Sequence, residues 1–125
     1  ISKAFQINQD MGRLYENAVA IVLKKMETNN IAKVYYWKNV QNEEVDFVIK
    51  RGLKISHLIQ VCYNIDMIKT KEREIRALIK ASKELRCNNL IVITDDYEKE
   101  EEANWFGTQR KIKFIPLWKW LLQES

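Results

Sequence analysis

Glycine and proline are scarce, three and one in 125 residues. An architecture of many short strands joined by tight turns depends on both residue types, so their shortage favours longer helices and a mixed α/β fold. Cysteine is rare too, at two residues. Cys62 and Cys87 form no Cys-x-x-Cys pair and His57 is the sole histidine, so a tetrahedral zinc site cannot be assembled without recruiting carboxylates. The cysteines read as small buried thiols of a reduced, cytoplasmic protein. No run approaches the ~18 apolar residues of a membrane span and the start shows no signal-peptide pattern, so no membrane partner is expected. Strong charge imbalance is missing too: 21 basic against 17 acidic residues gives +4, which neither requires nor excludes nucleic acid. What is present, 46% apolar and 30% charged residues, suits one domain over residues 1–125 with a core that needs no metal or disulfide. A chain that opens on Ile1 rather than Met is expected to be part of a longer protein.

Periodicity predicts a first helix over Gly12 to Glu27. At ~100° per residue, Leu14, Tyr15, Ala18, Val19, Val22, Leu23 and Met26 fall in one broad apolar arc, with Glu16 at its edge. Three β-like runs follow, KVYYWK (Lys33 to Lys38), EVDFVIK (Glu44 to Lys50) and ISHLIQVCY (Ile55 to Tyr63), joined by short polar connections and predicted as an antiparallel meander. The second and third runs are apolar on both faces, as central strands covered by helices would be. A second helix is predicted over Thr70 to Arg86, with Thr70 as N-cap and Glu72 and Glu74 in its first turn. Ile75, Leu78, Ile79, Ser82 and Leu85 form its core stripe. Asn89 to Thr94 reads as a buried strand, the acidic segment Asp95 to Glu102 as a solvated loop, and RKIKFI as a further strand. Pro116 then leads into a short terminal helix. The fold class is therefore α/β, in the order α-β-β-β-α-β, with a mixed central sheet flanked by helices and an added C-terminal strand and short helix.

Two groups of polar residues stand out. Asp46 lies within an apolar strand, where an isolated charge is costly and calls for compensation. Gln60 and Cys62 share one face of the next strand, and a hairpin would bring Gln60 beside Asp46 while Glu16 reaches over from the first helix. On the second helix Arg73, Arg76, Lys80 and Lys83 cluster as a basic ridge. Such a ridge suits sequence-independent phosphate contacts, although a charged helix face is more often merely solvated.

The segments GRLYENAVAIVL, YYWKN, EVDFVIK, LIQVCY, TKEREIRALIKASKEL, LIVITDDYE and IKFIPLWKWLL together resemble the C-terminal domain of archaeal-type AAA ATPases, over nearly the whole chain. The element order and the acid on the second strand also resemble the PD-(D/E)XK superfamily, the restriction-endonuclease-like and Holliday junction resolvase-like fold. This resemblance implies an ATPase module before Ile1 as a partner within the same chain. It also implies a divalent-metal ligand at Asp46, a first-helix acid at Glu16, and the remaining motif positions at Gln60 and Cys62. There the sequence departs from the superfamily, which carries an acid and a lysine at those positions. An amide at Gln60 brings no negative charge to a Mg or Mn ion held by Asp46 and Gln60, and the thiol of Cys62 brings no positive charge to a phosphoryl transition state.

The expected function is therefore a pseudo-nuclease: an accessory domain of the ATPase with a degenerate active site, binding DNA or a protein partner, without a cofactor. Two alternatives are an active Mg- or Mn-dependent DNA endonuclease, with Lys54, Lys69 or Lys71 as a displaced lysine, and a structural or oligomerisation domain working through Trp105, Phe106, Trp118 and Trp120. The mild +4 is an average over segregated stretches. Met67 to Cys87 holds seven basic and three acidic residues, Asp95 to Glu102 one and six, and Arg110 to Lys119 four and none.

Overall fold

The computed structural model describes residues 3–124. In chain order its elements are α1 (Lys3–Thr28), β1 (Lys33–Lys38), β2 (Glu44–Arg51), β3 (Lys54–Val61), α2 (Ile68–Leu85), β4 (Leu90–Thr94), β5 (Lys99–Trp105), β6 (Thr108–Pro116) and α3 (Leu117–Glu124). The six strands form one mixed sheet in the order β1-β2-β3-β4-β6-β5. The meander β1-β2-β3 is antiparallel, β4 is parallel to both β3 and β6, and β5 pairs antiparallel with β6 at the far edge.

Both faces of the sheet are covered, as its two-sided apolar strands require. On one face α2 buries Ala77, Leu78 and Ala81 against Trp37, Val45, Val48, Leu58, Val92 and Phe114. On the other, α1 and α3 bury Val19, Leu23 and Trp120 against Ile49, Ile59, Ile93 and Ile115.

Four local expectations are corrected. The first helix begins at Lys3 rather than Gly12, and Leu14 is 59% exposed, because the predicted arc is wider than the face that α1 lays on the sheet. Thr70 is not a cap: the Lys71 N–H already donates to Met67 O, so Thr70 lies inside the first turn. The helix opens behind Met67, without a side-chain cap and with no acid in its first turn. Finally, only the start of Asp95 to Glu102 is a loop, since residues from Lys99 onward enter β5. Their acids stand opposite lysines of β6, Glu100 beside Lys113 and Glu102 beside Lys111, and this cross-strand complementarity supports a strand where net charge had suggested solvent.

Candidate functional site

Between Val45 and Val48, β2 takes three steps while β1 takes two from Trp37 to Tyr35, which is the mark of a bulge. Val45 and Val48 both reach the α2 side as a result. On the other side of β2 the regular pairing with β3 stops at Phe47 and Ile59. Beyond that point side chains take over. The Asp46 N–H donates to Gln60 Oε1 at 2.8 Å, Gln60 Nε2 donates to Glu44 O at 2.7 Å, and the Val61 N–H donates to Asp46 Oδ2 at 2.8 Å. Gln60 Nε2 also lies 3.4 Å from Glu74 O on α2. The side-chain amide of Gln60, fully buried, thus stands in for a peptide group and continues the sheet where the backbones part.

The structure does bring Asp46 and Gln60 together, as their strand positions suggested. It aims the Gln60 oxygen at a backbone N–H, however, and not into an open site. Among the described residues no three His, Cys, Asp or Glu side chains are spaced to hold a metal ion. These residues do not fit a bound Mg or Mn ion, which needs several oxygen donors converging on one point.

Around this junction lies a cleft of about 250 Å³ lined by Glu43, Glu44, Asp46, Arg73 and Glu74 among others. Burial raises Asp46 to about 6, assisted by Glu16 and Glu44 and opposed by the Val61 N–H. Glu74 is pushed up to about 7 by burial, then by Asp46 and Glu16, against the pull of Arg73. Glu16 is raised as well, by burial and Glu44, with Arg13 opposing. Acids from α1, β2 and α2 therefore share one field, and near neutral pH Glu74 holds a proton part of the time.

A place in the first turn of the predicted helix, where an acid is favourable in itself, gives no reason in the sequence to single out Glu74. Another signal was available: it stands three, four and seven residues before Ala77, Leu78 and Ala81, on the buried row of α2.

Cys62 is buried and raised to about 11, by burial first and then by Glu74. It stays a neutral thiol, 3.7 Å from Asn64 O. Of the lysines considered as substitutes, Lys71 is held 3.1 Å from both oxygens of Glu101, over the Tyr97 and Phe114 rings. The cation that lines the cleft is Arg73, 3.7 Å from Glu74.

The basic ridge is divided. Arg76 Nε and Lys80 Nζ both donate to Glu43, at 2.7 and 2.5 Å. Burial alone would raise Glu43, but hydrogen bonds from Lys80, Asn39 and Arg76 outweigh it and bring the carboxyl to about 2. Lys83 has no ion pair among the described residues. The aromatic group is divided too: Trp120 is core, Trp105 half-buried, and Trp118 and Phe106 exposed.

Among the described residues no helix is long and apolar enough to cross a membrane. A similar protein is the uncharacterised protein MJ1544 of Methanocaldococcus jannaschii, 36% identical over 121 residues, which are 95% of this chain and 26% of that protein. The chain thus spans about a quarter of that relative's length. A family model described as a domain of unknown function, DUF4143, matches residues 11–120. Matched over nearly all of its length, the chain belongs to the DUF4143 family.

Proposed function

We propose that the domain is a nuclease-like accessory module of an AAA ATPase, one that binds a partner without cutting nucleic acid. The observation that carries this reading is the use made of Gln60. At the position where the resembled superfamily places a metal-binding acid, a buried amide bridges β2 and β3, and the neighbouring Asp46 accepts a backbone N–H. Losing the positive charge at Cys62 works in the same direction, since each electrostatic contributor to such a site is worth orders of magnitude in rate. The element order α-β-β-β-α-β and a relative about four times the matched length support a module that works within a larger protein.

The test is to incubate supercoiled, single-stranded and branched DNA with the protein in Mg²⁺ and in Mn²⁺, with Asp46→Ala alongside. No cleavage dependent on Asp46 is expected. Cleavage that disappears in Asp46→Ala would establish the enzyme reading instead.

A further inference from the structure

The β5–β6 hairpin turns through Phe106 and Gly107, between the paired residues Trp105 and Thr108. Both turn residues have positive φ, 45° and 82°, as a type I′ turn requires. That geometry favours Asn, Asp or Gly at position 106, and a phenylalanine there is strained. Nor is the ring part of either core, since Phe106 is 87% exposed. A large aromatic side chain is thus held out in water against both local conformation and the hydrophobic effect, a combination that persists where a site requires it.

Behind Phe106, Trp105 packs edge-on at 4.7 Å, and Arg76 and Lys80 each lie 5.3 Å from the Trp105 ring centre. Beside it a pocket of about 350 Å³ opens toward α2, lined by Lys80, Lys83, Trp105 and Phe106. Glu84 lines this pocket as well. Glu43 holds Arg76 and Lys80, and Glu84 accepts from Trp37 Nε1 at 2.5 Å. Lys83, and Arg86 at the end of α2, have no acidic partner in the ion pairs of the described residues. An exposed aromatic face beside an unpaired lysine, Lys83, matches a base next to its phosphate. The base must be unpaired, because a duplex hides its ring faces by stacking.

We propose that the β5–β6 tip and the C-terminal half of α2 bind single-stranded nucleic acid, with a base stacked on Phe106 and a phosphate on Lys83. This rests on the reading of the domain as a binding module and names its ligand class and surface.

Fluorescence anisotropy with short labelled oligo(dT) and oligo(U), and with a duplex of equal length, at two salt concentrations tests the assignment. Tighter binding of the single strands than of the duplex is expected. Phe106→Asn, which suits the turn better, should keep or raise the melting temperature while single-strand affinity drops by about tenfold or more. Lys83→Glu should weaken binding and flatten the logarithmic salt dependence by about 0.7 or more. Phe106→Tyr should bind like the parent. No single-strand binding, equal duplex binding, or full binding by Phe106→Asn overturns the proposal. Gels of the same samples with Mn²⁺ read the parent hypothesis separately: Asp46-dependent cleavage would remove the non-cutting reading while leaving Phe106-dependent binding intact.

Discussion

Glu74 shows how burial can turn an ordinary surface residue type into a proton-holding group. Its folded value of about 7, and that of Asp46 at about 6, lie above the ordinary 4.5 and 3.8. Between those limits the folded protein therefore binds more protons than the unfolded chain. The sign follows directly: stability is highest below about pH 4 as far as these groups are concerned, and falls as pH rises through 7. Glu74→Gln keeps the shape and removes the charge. It should flatten this slope between pH 5 and 8 and stabilise the protein at pH 8 by about 1–3 kcal/mol, measured by urea denaturation at both pH values. An unchanged slope would mean that Glu74 titrates as it does in water. Asp46 was legible in the sequence because a charge inside an apolar strand signals itself. Glu74 was hidden by the expected helix start at Thr70, which makes it a first-turn acid, whereas the helix begins at Ile68 and Glu74 faces inward.

At the level of elements, the question is what joins β2 to β3 beyond Phe47 and Ile59. Gln60 gives the answer, with its amide oxygen and nitrogen both bonded to the backbone of β2. Gln60→Ala should cost about 2–4 kcal/mol, from the cavity and from the buried N–H and C=O left without partners. Gln60→Glu is the more informative change. It restores the acid that the resembled superfamily carries, yet it would set a carboxylate oxygen against the carbonyls of Glu44 and Glu74. We expect destabilisation comparable to that of alanine near neutral pH in chemical denaturation. A tolerated glutamate would show that the junction accepts an acid and that its amide is incidental. The meander itself was readable from alternation and from short polar connections. The bulge was not, because an extra residue in one strand leaves no mark in composition. The acids of β5 misled for a related reason: their partners Lys111 and Lys113 lie in another element, and net charge along the chain does not report pairing across it.

For the whole molecule, two cores on opposite faces of one sheet explain why so few glycines and prolines suffice: the long α1 and α2 cover most of the sheet. Apart from β5, the order of elements was legible in the sequence, whereas the strand order β3-β4-β6-β5 was not, since parallel pairing between distant segments is absent from local periodicity. The second core closes only when α3 folds back onto α1 and the sheet, and Trp120 is its anchor, 2% exposed. Its indole N–H is buried without a hydrogen-bond partner among the described residues. Two opposing terms therefore sit in one side chain: a large apolar surface that stabilises, and an unsatisfied donor that costs about 1–3 kcal/mol. Trp120→Ala removes both and leaves a cavity, so a net loss of about 3–5 kcal/mol is expected. Trp120→Phe keeps much of the ring and deletes the donor, so the lost packing and the relieved desolvation should nearly cancel, to within about 1 kcal/mol. Thermal and urea unfolding of the two variants measure the difference. If Trp120→Phe proved as damaging as alanine, the indole N–H would have to be bonded in solution, and the closure of α3 would rest on that bond more than on apolar contact.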